Sequence, residues 1–109
     1  MVGMRKAMEI AMLAENIDAA EALRLNLVNR VVPAASLAAE TGALARRLAN
    51  GPTFSYGKIK RLLRSSLEND LPSQMTAERE AFRACARTGD FSEGVDAFFA
   101  KRAARFVGA

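Results

Sequence analysis

Polar and apolar residues alternate along most of this chain with the period of a helix. In "MRKAMEIAMLA" (4–14), Met4, Met8, Ala11 and Met12 stand at i, i+4, i+7 and i+8, one face of an amphipathic helix. Methionine is unbranched and soft, so on such a stripe it reads as adaptable core filler. Asp18 with Glu21 three residues on forms a capping pair, and Ile17 stands where a hydrophobic staple would. A short helix is expected over Ala19 to Leu25. Asn26 follows where the backbone must turn out of it, a left-handed position that asparagine tolerates.

The period then changes. "LVNRVV" is rich in β-branched residues and is closed by Pro33, so one short β-strand is expected near residues 27–32. Nothing else in the chain reads as its partner. Helical spacing resumes over 34–49 with Leu37, Thr41, Leu44, Ala45 and Leu48. Gly42 weakens that helix by up to ~1 kcal/mol against alanine, so packing must hold it. "NGP" at 50–52 stops and restarts the chain. From 53 to 67, Phe54, Ile59, Leu62, Leu63 and Leu67 share a face, with Lys58, Lys60, Arg61 and Arg64 mostly off it. Asp70 is placed to cap the next helix, with Pro72 in its first turn. Met75, Phe82, Cys85 and Ala86 make its stripe, and Gly89 is read as its end. Ser92 is read as the cap of a last helix whose inner face is Val95, Phe98 and Phe99. The pattern predicts a mostly α chain of five or six helices with one strand.

Composition narrows the class. At 109 residues, 50% hydrophobic and 26% charged, the chain is one small domain or a piece of a larger one. Without tryptophan, and with 6% aromatic residues, alanine, leucine and methionine must fill any core. The net charge of +4 comes from sixteen basic and twelve acidic residues that are interspersed, the pattern of wet helix faces. The run "GKIKRLLR" (57–64) supports an alternative, a small basic helical nucleic-acid-binding or adaptor module, but no aromatic platform interleaves with its charges. Cys85, the one cysteine, cannot form an internal disulfide and reads as a small buried hydrophobe in a reducing compartment. No apolar run approaches the ~20 residues of a membrane span, and the start lacks a signal-peptide core. A cytoplasmic location without a membrane partner is expected. With no histidine, a zinc site or a Ser-His or Cys-His nucleophile is excluded within one chain.

Two ordered segments carry a resemblance. "IDAAEALRLNLVNRVVP" (17–33) and "GDFSEGVDAFFAKRAARF" (89–106) are similar to the C-terminal part of the crotonase superfamily, the enoyl-CoA hydratase/isomerase family. Ala19, Glu21, Ala22, Leu27, Val28, Val31 and Val32 match the first family segment. Asp90, Phe91, Glu93, Gly94, Ala97, Phe98, Lys101, Arg102 and Phe106 match the second. Three positions depart: Asn26 replaces a glycine, Ala104 replaces a proline, and Leu13-Ala14 replaces Thr-Gly, so the first helix is expected to end less sharply.

The resemblance implies the C-terminal helical layer of a ClpP/crotonase fold. Residues 1–33 would be a remnant of the crotonase core, two helices and a short strand whose partner lies upstream. Residues 34–109 would be a C-terminal helical oligomerisation domain. In the family, the oxyanion hole and the paired glutamates that stabilise and protonate an enolate lie in the upstream core. No catalytic residue is therefore assigned here, and the isolated chain of this lyase family is expected to be inactive. The carboxylate pairs Glu78/Glu80 and Glu93/Asp96 sit at helix-surface spacings. The implied substrate is a coenzyme A thioester, with no tightly bound cofactor and no metal. Phe82 matches an aromatic that packs near the adenine. Lys101 matches a lysine that reaches the nucleotide phosphates, usually from a neighbouring subunit. Taken alone, Phe82 on its apolar stripe also reads as core packing and Lys101 as a helix-end cation; Arg102 and Arg105 either assist it or are solvated. The implied assembly is a trimer or hexamer, formed by self-association through apolar helix faces, with the CoA thioester contacted across a subunit interface.

Overall fold

The computed structural model describes residues 2–109. Six α-helices follow one another: α1 (Met4–Leu13), α2 (Ala19–Arg24), α3 (Leu37–Ala49), α4 (Thr53–Ser65), α5 (Leu71–Cys85) and α6 (Gly89–Phe99), with a 3-10 turn at Ala34–Ser36 before α3. The chain divides into two compact units, one ending at Glu40 and the other running from Thr41 to Ala109.

In the first unit the ends of the helices are set by single residues. Ala14 adopts a left-handed backbone (φ 51°), and its N–H donates to the Ile10 carbonyl at 3.1 Å. The helix α1 therefore ends abruptly, where the missing glycine had suggested a blurred end. An alanine Cβ in this region costs ~1–2 kcal/mol. Replacing Ala14 with glycine removes that strain at a smaller cost in unfolded-state entropy. Ala14→Gly is expected to stabilise the chain by about 0.5–1 kcal/mol in urea denaturation.

The cap of α2 is as expected: Asp18 accepts the Glu21 N–H at 2.7 Å. After Leu25, Asn26 is left-handed (φ 56°), with its N–H on the Leu23 carbonyl (3.0 Å) and the Leu27 N–H on the Ala22 carbonyl (2.9 Å). These two bonds form a Schellman motif. The strand expected at 27–32 is not formed, and there is no strand among the described residues. The segment turns, bends and runs to Pro33 as coil. The reason is physical: a β-ladder needs a second edge, and the described residues supply none, so β-branched side chains alone do not make a strand. Leu27, Val28 and Val31 are left exposed. Arg30 and Glu40 make an exposed ion pair at 3.0 Å, a contact worth at most ~1 kcal/mol.

In the second unit, α4 and α5 are the pair of helices in extensive contact. Ser55, Lys58, Leu62 and Ser65 are half-buried on α4, and Gln74, Ala77, Ala81 and Ala84 on α5, each set at i, i+3, i+7, i+10. The Gln74 side chain also donates to the Leu62 carbonyl at 3.4 Å. Most of these half-buried side chains are small or polar, with Leu62 the large apolar one. The large apolar residues read as the inner stripes, Ile59, Leu63, Met75 and Phe82, are exposed instead.

Asp70 caps α5 by accepting the Ser73 N–H at 2.9 Å. The start of α6 differs from expectation. Gly89 is its first residue, and the cap is Thr88 where Ser92 was expected. The Thr88 hydroxyl accepts the Phe91 N–H (3.2 Å) and donates to the Cys85 carbonyl (2.7 Å), so one side chain ends α5 and begins α6. Asp90 then falls in the first turn, where the helix dipole favours its charge.

Full burial is rare: Ala97 (2% exposed) is the buried apolar side chain and Asp90 (3%) the buried charged one among the described residues. Two separate folded units of these sizes would together expose about 7,000 Å², whereas the chain exposes 9103 Å². The apolar faces of α1, α3, α4, α5 and α6 are largely uncovered.

Candidate functional site

The most ordered polar arrangement lies along α6. Asp90 and Glu93, three residues apart, share a face of the helix. At its far end Lys101 takes a left-handed backbone (φ 51°), with its N–H on the Phe98 carbonyl (3.2 Å) and the Arg102 N–H on the Ala97 carbonyl (3.0 Å). This second Schellman turn reverses the chain, and residues 102–109 run back along α6 as a strap. The Arg102 guanidinium donates to both oxygens of Glu93, at 2.6 and 2.8 Å. The Arg105 N–H donates to the same carboxylate at 2.7 Å. The Phe106 ring lies over Gly94, 3.6 Å from where a Cβ would stand. Asp90 accepts the Val107 N–H at 2.7 Å and the Gly108 N–H at 2.8 Å, and its own N–H donates to the Ala109 carbonyl at 2.9 Å. Gly108 is required here: its φ is +84°, and a Cβ would stand 2.6 Å from the Thr53 hydroxyl oxygen.

Glu93 was expected on a solvated face with Asp96. It is instead the anchor of the strap. Hydrogen bonding from Arg102, then the Arg105 N–H, holds its pKa at about 2, below the ordinary 4.5, while Arg102 is raised by the same pairing. A depressed carboxylate pKa stabilises the fold above the unfolded value and is lost as pH falls through the folded one. The strap contribution is therefore present above about pH 4.5 and is lost toward pH 2. Between those values the melting temperature of the unmodified chain is expected to fall more steeply than that of Glu93→Gln, and parallel melting curves would contradict this.

Beside the strap, Pro52, Phe91, Val95, Phe98, Phe99 and Phe106 line an open hollow of about 360 Å³, within the size range of small-ligand pockets. Phe98 and Phe99 meet edge to face with centroids 5.6 Å apart, yet are 78% and 77% exposed.

The two residues singled out from the sequence lie apart. Phe82 on α5 is 63% exposed, and its ring meets Phe91 of α6 edge to face at 6.0 Å. Lys101 is exposed just beyond the other end of α6. Ten residues of helix rise separate Phe91 from Lys101, about 15 Å along the axis. The sequence-based assignment missed Asp90 and Glu93 as clamps. The available signal was their spacing of three before the basic and aromatic residues of "KRAARF".

Elsewhere the chemistry is sparse. In the first unit Lys6, Glu9, Asp18 and Glu21 border a hollow of about 270 Å³ of mixed charge. Among the described residues, no group of His, Cys, Asp and Glu could hold a metal ion. No helix among them is long and apolar enough to cross a membrane. On α4, Lys60, Arg61 and Arg64 border a shallow basic surface without an aromatic ring, and Phe54 is covered by Lys58 at 5.1 Å.

Comparison with known proteins gives this arrangement a context. A family model described as enoyl-CoA hydratase/isomerase matches residues 1–109. The chain is 37% identical over 107 residues to a Rhodobacter capsulatus protein described as an enoyl-CoA hydratase, covering 98% of this chain and 42% of that one. It is 39% identical over 106 residues to the 1,2-epoxyphenylacetyl-CoA isomerase of Escherichia coli K12, covering 97% and 40%. A crystal structure from Mycobacterium abscessus, described as an enoyl-CoA hydratase/isomerase, superposes with a TM-score of 0.94 at 34% identity, covering 99% of this chain and 42% of that one. The chain thus spans about two-fifths of the length of the relatives it matches. On this end-to-end match, the chain belongs to the enoyl-CoA hydratase/isomerase family of the crotonase superfamily.

Proposed function

We propose that this chain is the C-terminal portion of a cytoplasmic crotonase-type enzyme acting on coenzyme A thioesters. Residues 1–33 lean on the catalytic core, and residues 34–109 form a helical oligomerisation layer, in a trimer or hexamer. The chain supplies subunit contacts and part of the CoA-binding rim. The oxyanion hole and the catalytic carboxylates lie outside it, so the chain alone has no turnover. Phe82 offers an exposed aromatic face to the adenine, and Lys101 a point charge to a nucleotide phosphate. In this reading the rim is completed by residues of two chains, with Lys101 reaching the nucleotide of a neighbouring subunit.

The observation that carries this reading is the exposed apolar surface. Met75, Phe82, Phe98, Phe99 and the α1 methionines are uncovered in a fold that superposes on solved enzymes of the family while spanning about two-fifths of their length. Faces of this kind mark surfaces that another body covers. The test is a titration of the chain with coenzyme A followed through its amide signals. Shifts centred on Phe82 and Lys101, weakened about fivefold or more by Lys101→Ala, support the reading. Absence of binding at millimolar CoA, or shifts confined to the basic face of α4, overturns the assigned rim. A longer reading frame that places this segment at the amino-terminal end of its enzyme overturns the C-terminal assignment.

A further inference from the structure

We infer that Glu93 is a positioning residue, whose grip on Arg102 and the Arg105 N–H fixes the left-handed turn that presents Lys101 to a phosphate of the nucleotide. This inference rests on the proposed CoA rim and names the residue that makes it work.

The turn after α6 carries a lysine where glycine would be easier. At φ 51°, Lys101 holds a backbone that its Cβ disfavours, and such strain persists only where the surroundings enforce it. On the helix side the turn is closed by the Lys101 and Arg102 N–H bonds to Phe98 and Ala97. These two backbone bonds are ordinary for a helix end and are satisfied equally well by glycine. On the other side the closure is specific. The guanidinium of Arg102, the very next residue, makes a bidentate pair with Glu93, whose carboxylate also takes the Arg105 N–H. Lys101 thus lies between a helix end and a residue pinned at two points. Glu93 is half-buried, with 24% of its side chain exposed, and bidentate charge-assisted pairing fixes direction as well as distance. The ammonium of Lys101 has no carboxylate partner among the ion pairs of the described residues. Glu93 therefore orders the turn without neutralising the cation that it presents.

Bulk electrostatics and positioning predict opposite signs for the same substitution. Glu93→Gln makes the chain one unit more positive than its net +4, which by charge alone would tighten anion binding. If Glu93 positions Lys101, the same substitution weakens it. The test uses the full chain and adenosine 3′,5′-bisphosphate, titrated by calorimetry at two salt concentrations, on the unmodified protein, Lys101→Ala, Glu93→Gln and Arg102→Met. Backbone coupling constants at residue 101 report whether φ stays positive, and the α6 amide pattern checks the fold.

Expected is a loss of about fivefold in affinity for Lys101→Ala and a similar loss for Glu93→Gln and Arg102→Met. In the latter two the coupling at Lys101 should shift toward ordinary negative φ, with α6 intact. If Lys101→Ala weakens binding while Glu93→Gln leaves it unchanged or tighter, the positioning role is wrong and the rim stands. If Lys101→Ala has no effect, or the unmodified chain does not bind the bisphosphate, the CoA rim itself falls and the positioning role falls with it.

Discussion

Replacing Asp90 with alanine is expected to lower the stability of the unit from Thr41 to Ala109 by about 3 kcal/mol. Asp90 is 3% exposed, and each of its oxygens accepts one backbone N–H of the strap. Charge-assisted bonds of this kind contribute roughly 1.5–3 kcal/mol each, and alanine leaves both donors without a partner. Asparagine is no substitute. Its amide offers one acceptor oxygen and turns an NH₂ group toward an N–H, so Asp90→Asn is expected to cost about 2 kcal/mol. The effect has a local signature. Amide exchange at Val107 and Gly108 should speed up in both variants before α4 or α5 is affected, because the strap lets go first. Unchanged protection at these two amides would show that Asp90 does not hold the strap.

The second large effect concerns association. Phe98 and Phe99 are 78% and 77% exposed and meet edge to face at the rim of the aromatic hollow. Fully burying a phenylalanine is worth about 1.5–3 kcal/mol, and paired aromatics are the usual anchors of an interface. The double substitution of Phe98 and Phe99 by serine is expected to raise the dissociation constant for self-association about 100-fold or more. Since neither ring is buried in the chain itself, the stability of the monomer in urea should change by less than about 0.5 kcal/mol. A large loss of monomer stability with unchanged association would mean that the rings serve the unit's own core.

Much of the fold was legible because helix ends are local. Asp18 and Asp70 cap the helices they were expected to cap, and Asn26 sits in the left-handed turn that its side chain tolerates. Each depends on neighbours within a few residues. The strand at 27–32 failed for the opposite reason: its β-branched residues are a local signal, but a ladder requires a second edge, and none exists among the described residues. The start of α6 was missed because Thr88 and Ser92 are both credible caps. Only the bond from Thr88 back to Cys85 decides between them. The inner stripes were misjudged because periodicity identifies an apolar face without saying what covers it. On α5 the small residues Ala77, Ala81 and Ala84 are half-buried, and Met75 and Phe82 are exposed. The clamps Asp90 and Glu93 of the strap were not legible in the sequence. Their partners, Arg102 to Gly108, meet them only after the chain has reversed at Lys101.

The claim on which this account depends is that these helices evolved to be covered by further protein. Sedimentation equilibrium of the unmodified chain from about 1 to 100 µM tests it directly, because exposed apolar faces of this kind mark interaction surfaces. The account predicts a mass at least twice the 11.8 kDa of one chain, reached at tens of micromolar. A single ideal species of 11.8 kDa across the whole range, with its helices intact, would contradict it.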